Sequence, residues 1–582
     1  MGKIKDWFSK RRQQRLMRDL EAIKGIIKFD PIHALGIEDT ETSINFTKRI
    51  EEYRIWFGGN AKNIREMYAN SKSGLGDSLN YFWAKAPKTK RMLHTGIPGL
   101  ISRKMATILF GGGVTFKASV YALNEDGTPD PNAKIDEAKT KQAKDIIDNL
   151  IIQTNLIDKM SEAAQNESWS AGCFYKLSHD VSLSDYPILE ITTVRNAEVV
   201  EERGIVQAIV FKTWIEKKNT RYRLNEIYTT NEDGDAVVTH KLYKIKSNNE
   251  IEEVDLEEIE EGVEVLETYN NADKTAFVYK GLKGILAFYK PNMKPSHEFP
   301  NTPYGASDYE GAIDSFDALD ESYSQLISEI RDNQTLRYIP EDLIPREVSD
   351  DGEILEYLLD DSFVTNYVKI RGDADQDADN KIDIQYIEDK TESLLAKYRT
   401  ALTTAINHAG LSPLALGITG LEAVNTSAES QQERNKTTLE TRKLKIALWK
   451  PHLVKLMTKI IELNSWMQKN TTARQKAFAK IDLDFDNTDI SVEFGEYIVE
   501  PVGTKINQWG SAKMQKVAST KEAVKNIHPD WSDEQIIEEV NAIKFEEGVT
   551  LDNPLRLTDL NEFLDKEEEK KKTEDITEDD QG

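Results

Sequence analysis

The 582 residues include a single cysteine, Cys173, which rules out an internal disulfide and a thiolate metal cluster and fits a reducing, cytoplasmic compartment. Cys173 stands in a largely apolar stretch, where a buried structural thiol is expected. The eight histidines never fall at i, i+4 on one helix and none lies in an H-E-x-x-H setting, so no zinc site is expected. No G-x-x-x-x-G-K-[ST] occurs, the one Gly-Lys pair being Gly2-Lys3, and no G-x-S-x-G nucleophile elbow occurs either. Gly111, Gly112 and Gly113 therefore read as a turn after an apolar helix over 97–110 rather than as a phosphate cradle. No apolar run reaches membrane-span length, and the basic start lacks the apolar run of a signal peptide, so no membrane association is expected. Positive charge is also in deficit: 75 Lys+Arg against 101 Asp+Glu give a net charge of −26. Such a field repels nucleic acid and argues against a sequence-reading nucleoprotein.

What is present is organised around residues 304–335. Ser307 followed by Glu310 makes a capping box, so a helix is predicted from 307 to about 333, a rod on the order of 40 Å long. Tyr309, Ile313, Phe316, Leu319, Tyr323, Leu326 and Ile330 form one apolar stripe along it. Its back is acidic, with Asp308, Asp314, Asp317 and Glu321. A second helix over 390–410 opens at the capping pair Asp389 and Glu392, carries Leu394, Tyr398, Leu402, Ile406 and Ala409 on one face, and stops at Gly410 and Pro413. Between the two lies an insert, 336–389, with 16 acidic and five basic residues, among them Glu341, Asp342, Asp350, Asp351, Asp360 and Asp361. Its GDADQDADN run places Asp373, Asp375, Asp377 and Asp379 at calcium-loop spacing. Ala378 replaces the required glycine and Ile384 the terminal glutamate, so a solvated acidic loop is the reading of choice over a calcium site.

The rest of the chain reads as follows. Residues 3–29 hold nine basic side chains among Trp7, Phe8, Leu16 and Leu20, a basic amphipathic helix expected to dock on the acidic remainder. One helix is expected over 134–166. Short alternating segments from Cys173 to about 289, with a hairpin at Asp233-Gly234, are the antiparallel part of an α+β fold. A small, mostly apolar stretch, 411–427, precedes a long helix over 427–469 with nine basic and four acidic residues, in which Pro451 predicts a kink between Trp449 and Leu453. A strand at 490–494 follows. Short helices over 503–547 come next, one opened by Ser532 and Gln535, and the charged tail 551–582 is expected to stay disordered.

The order helix, acidic insert, helix, together with YGASDYEGAIDSFDALDES and the later NTSAESQQERNKTTLETRK, resembles the portal proteins of tailed bacteriophages, especially long-tailed phages of Gram-positive hosts. The resemblance spans about 90–550. It implies a multidomain α+β subunit with no catalytic or cofactor site, built into a ring of twelve copies with a central DNA channel at one capsid vertex and assembled in the host cytoplasm. In that scheme 1–303 with the strand near 490 is the wing, 304–335 and 390–410 are stem helices, and 336–389 is a small α/β clip. The tunnel loop is 411–427, with Leu414, Leu416, Ile418, Leu421, Asn425 and Thr426. The long wing helix and wing strand occupy 428–500, the crown 501–550 and the tail 551–582. Implied partners are double-stranded DNA, passed without sequence reading, terminase, major capsid and scaffold proteins, and head-tail adaptors. Two other classes compete: a non-viral oligomeric scaffold, and a metal-dependent nuclease on the acidic insert. With no phosphate cradle in the sequence, the pure protein is expected to release no phosphate from ATP. ATP turnover that vanishes on mutating a residue of this chain would overturn that reading.

Overall fold

The computed structural model describes residues 41–70, 81–85, 91–121, 135–217, 220–245, 251–269, 276–300, 302–332, 335–340, 346–348, 354–356, 365–370, 383–385, 390–418, 435–474, 488–496, 502–528, 531 and 533–546. The chain forms two compact units, Met1–Tyr497 and Ile498–Gly582.

The first unit begins with helices α1 (Glu41–Gly58), α2 (Ala61–Asn70), α3 (Phe82–Lys85) and α4 (Ile97–Phe110). On α1, Phe46, Ile50, Tyr53 and Trp56 recur at steps of three and four and are buried. Pro98 stands in the first turn of α4, where its missing N–H costs nothing. The triple glycine then turns the chain into strand β1 (Val114–Val120). Gly113 takes a positive φ of 81°, and a Cβ on Gly112 would lie 2.4 Å from the Glu496 carbonyl oxygen, so the glycines allow two backbones to touch.

Where one helix is expected over 134–166 there are two, α5 (Glu137–Gln153) and α6 (Leu156–Ser170). Asn155 separates them at φ 54°, a left-handed conformation that asparagine tolerates better than most residues. The break lets α6 turn Leu156, Met160, Ala163 and Ala164 inward. The β region follows: β2 (Gly172–Ser178), β3 (Ile188–Thr193), β4 (Ala197–Glu202), β5 (Ile205–Lys217), β6 (Thr220–Thr230), β7 (Asp235–Ile245) and β8 (Ile251–Val254). Helix α7 (Glu260–Tyr269) precedes β9 (Ala276–Lys283) and β10 (Ala287–Pro291). Strands β4 to β8 form one antiparallel sheet in sequence order, with β9 also on β7, and β10-β2-β3 form a second sheet. The β6–β7 hairpin turns at Asp233-Gly234, with Gly234 at φ 81°. Cys173 is fully buried on β2.

Helix α8 (Ile313–Asp332) starts six residues later than the capping box predicts, and its 20 residues make it about 30 Å long. Both capping side chains are engaged elsewhere. Ser307 Oγ donates toward the Ser168 and Trp169 carbonyls, and the Glu310 carboxylate accepts from Ser296 Oγ and from the His297 and Glu298 amides. Gly311, at φ 75°, completes the break. The described residues of the insert are strands. β11 (Thr335–Pro340) pairs in parallel with β14 (Thr365–Ile370) and antiparallel with β15 (Asp383–Gln385), while β12 (Arg346–Val348) and β13 (Ile354–Glu356) form a hairpin pair. Helix α9 (Thr391–His408) ends before Gly410, φ 70°. After a short 3₁₀ turn at Pro413–Leu416, helix α10 runs unbroken for 35 residues, Lys436–Asn470, with Pro451 inside it. Strand β16 (Thr488–Phe494) then pairs antiparallel with β1, closing the first unit.

The second unit has helices α11 (Val502–Met514), α12 (Thr520–Ile527) and α13 (Asp533–Glu546) around Val524, Ile536 and Val540. Ser519 caps α12 by accepting from the Glu522 amide. Ser532 lies outside the described residues.

Replacing Gly112 by alanine should cost roughly 1–3 kcal/mol, because backbone must move to admit the methyl group. Gly58→Ala, with nothing within 4 Å of its Cβ, serves as the neutral control. Urea unfolding of the two variants checks the difference.

Candidate functional site: paired helices and a buried polar junction

Helices α8 and α9 lie side by side, with the Tyr323 and Tyr398 rings 5.8 Å apart. Tyr309, Ile313, Phe316, Leu319 and Leu326 are buried and Tyr323 is half-buried; on α9, Leu402 and Ile406 are buried and Leu394 and Tyr398 half-buried. Ile330, placed by its spacing on the same stripe, is 52% exposed. The stripe is thus seated at its first turns and open toward the insert. On the outer side, small residues such as Ser315, Ala318, Ala396 and Thr400 leave a shallow groove of about 660 Å³ between the helices.

The acidic back of α8 is not a solvated face. Asp317 accepts from the Phe82 and Trp83 amides at 2.9 and 3.4 Å. Asp320, fully buried, accepts from Trp83 Nε1, the Thr95 amide and Thr95 Oγ1, and lies 2.7 Å from His94 Nδ1. Ser324 Oγ accepts from the Leu93 amide, and the exposed Asp314 accepts from the Tyr81 hydroxyl. The described parts of 81–95 are therefore fastened along α8 by its polar side chains. Burial pushes the Asp317 carboxyl up to about 6, its two amide donors opposing the rise and the Glu321 and Asp320 charges adding to it.

Asp308, in the turn before α8, is buried against Lys445 of α10 at 2.9 Å. Asn292 joins them, donating to Asp308 Oδ1 and accepting from Lys445 Nζ. A second buried pair lies beside the first: Glu167 of α6 and Lys290 of β10, 2.6 Å apart. Trp449 of α10 donates to Glu167, and the Lys290 ammonium sits 4.1 Å from the centre of its ring. Burial drives Glu167 upward and Lys290 downward, toward the neutral forms, and their mutual contact opposes this in both. Arg442 donates to the Ile108 and Gly495 carbonyls, and Thr441 Oγ1 to the Gly410 carbonyl. Helix α10, basic by composition, thus spends Arg442 and Lys445 on internal contacts. No local sequence signal points to these pairs, since Lys445 and Asp308 stand 137 residues apart.

Pro451 lies on the exposed side of α10 between the buried Trp449 and Leu453. Of the residues expected in the tunnel loop, Leu414, Leu416 and Ile418 are half-buried, while Leu421, Asn425 and Thr426 fall outside the described residues. Also outside them are the calcium-spaced Asp373, Asp375, Asp377 and Asp379, the acids Glu341, Asp342, Asp350, Asp351, Asp360 and Asp361, the basic helix 3–29 and the tail 551–582. Among the described residues no group of three His, Cys, Asp or Glu side chains is arranged to hold a metal ion, and no helix is long and apolar enough to cross a membrane.

The phage portal protein family, SPP1 Gp6-like, has a model that matches residues 196–549, more than half of the chain. The chain belongs to this family. No curated protein sequence matches it. The matched span takes in the six-stranded sheet, α8, α9, the insert between them and α10. The α+β character expected from the sequence is that of the fold, and the family is structural and associated with the capsid vertex of phages.

Because the Asp317 pKa is raised in the folded state above the ordinary 3.8, the fold gains stability as the pH falls through about 6 toward 4 and loses it on the way back up. Asp317→Asn removes that dependence. In paired melting curves the wild type should gain on the variant between pH 7.5 and 5; parallel curves would show that Asp317 does not titrate there.

Proposed function

We propose that this portal-family protein forms a ring of twelve subunits at one capsid vertex, through which double-stranded DNA enters during packaging, is retained, and leaves on ejection, and on which the tail is joined. The observation that carries the reading is the pair α8 and α9 enclosing an insert and leading into the long α10, within the span that matches the family. A partly open apolar stripe and a shallow groove on a two-helix pair suit packing against further copies in a closed ring. In this reading α8 and α9 are the stem and 336–389 the clip that meets terminase during packaging and head-tail adaptors afterwards. Residues 411–427 are the tunnel loop, α10 is the wing helix and 501–550 the crown. Capsid and scaffold proteins hold the ring in place, and assembly occurs in the host cytoplasm.

The charge supports a conduit. A subunit of net charge −26 offers few phosphate contacts, so DNA is not held by counterion release and can slide. The protein acts without catalysis, and packaging energy comes from a separate terminase motor that docks on the clip.

Electron microscopy of the purified protein tests the proposal: closed rings with a central channel support it, and open polymers or monomers at micromolar concentration overturn it. Pro451 offers a finer test. Proline inside a helix costs about 3 kcal/mol unless the surroundings favour a bend. Pro451→Ala should leave the subunit folded yet impair ring closure or DNA packaging, and normal rings that fill heads at the normal rate would show the proline to be incidental.

A further inference from the structure

Helix α10 is packed into the core on most sides, but one face of its first half is open. Lys443, Leu444, Ala447, Lys450, Pro451 and Lys455 fall at helical spacing and are all exposed, Leu444 by 60%. Lys443 and Lys450 make no ion pair among the described residues, and they lie seven residues, or about 10.5 Å, apart along the helix. A basic face with a bare leucine near its N-terminal end is out of keeping with a chain of net charge −26.

The chain also carries a face of opposite sign and matching pitch. On α7, Glu260, Glu264 and Glu267 are exposed at steps of four and three with the half-bare Val263 among them; Glu260, 3.1 Å from Lys217 of its own subunit, and Glu267 are again seven residues apart. A head-to-tail ring needs two different complementary surfaces on each subunit. Copies of so acidic a chain repel one another unless a local patch reverses the sign. We propose that the open face of α10 is an inter-subunit surface that receives the acidic α7 face of a second copy, Lys443 and Lys450 meeting Glu260 and Glu267 while Leu444 and Ala447 cover Val263. The inference rests on the ring reading above and names the surfaces that build it.

Charge exchange tests it. K443E/K450E and E260K/E267K, each made in the full chain, should lower the fraction of protein in rings at least tenfold at physiological salt, with unchanged melting of the subunit. The four substitutions combined should restore rings. Cysteine pairing gives a second reading that does not depend on those variants: because Cys173 is buried, L444C/V263C should yield a ladder of oxidised oligomers on a non-reducing gel, and L444C alone no ladder.

Wild-type rings with undiminished rings in both reversed variants would overturn this inference and leave the ring reading standing. So would failure of the fourfold exchange to restore rings, or absence of the ladder. Intact rings in K443E/K450E with loss of binding to a labelled DNA duplex would assign the face to DNA and overturn it as well. Absence of rings in the wild type would overturn both readings.

Discussion

Two lysines buried in an acidic protein, Lys445 on α10 and Lys290 on β10, set the constraint on which the first unit depends. Each has its carboxylate, Asp308 and Glu167, within 3 Å, and each carboxylate comes from a different element. Removing one partner of a buried pair costs about 3–5 kcal/mol, because the other charge stays behind in a dry site. Apolar packing alone tolerates a helix sliding or turning by a small step, whereas these contacts do not. A one-residue slip of α10 turns it by about 100° and carries Lys445 away from Asp308 and Trp449 away from Glu167 together. The pairs thus fix the register of a helix about 50 Å long, which a stripe of interchangeable Leu, Ile and Met residues leaves loosely set.

The same economy governs α8. Its apolar side meets the core and α9, and its acidic side receives the described parts of 81–95, so a helix that reads as amphipathic is enclosed on much of its circumference. Carboxylates suit this because each presents several acceptor sites: Asp320 alone serves Trp83, His94 and Thr95. Where acids are spent on buried donors and basic groups on buried acceptors, the charge left at the surface is unevenly distributed. The net charge of −26 therefore does not describe every face of the molecule.

How much of this was legible in the sequence depended on the range of the interaction. The α8 and α9 stripes, the hairpin at Asp233-Gly234 and the stop at Gly410 are local, and periodicity and turn chemistry reveal them. The start of α8 was misread although its signal is also local, because Ser307 and Glu310 found partners in α6 and in 296–298 that outweigh the capping box. The break at Asn155 was missed because Ile146, Ile147, Leu150 and Ile151 set a helical period up to it and no glycine or proline marks it. The burial of Asp308, Asp317 and Asp320 was illegible, since all their donors except Asn292 come from segments more than 130 residues away. The family resemblance, carried by segment order, reached the family where local physics could not.

The joint between α9 and α10 is made by side chains from both of its sides. The Ser412 amide donates to Thr438 Oγ1 at 2.9 Å, Ser412 Oγ donates to Asn435 Oδ1 at 2.9 Å, and Thr441 Oγ1 donates to the Gly410 carbonyl at 2.7 Å. The described residues on either side of the joint, 410–418 and 435 onward, thus meet in one small cluster, itself part of the core through Leu411 and Ala415. Through these bonds the end of α9 is tied to the first turns of α10. Those turns bear Arg442 and Lys445, the contacts that tie the helix to β16, α4 and the start of α8.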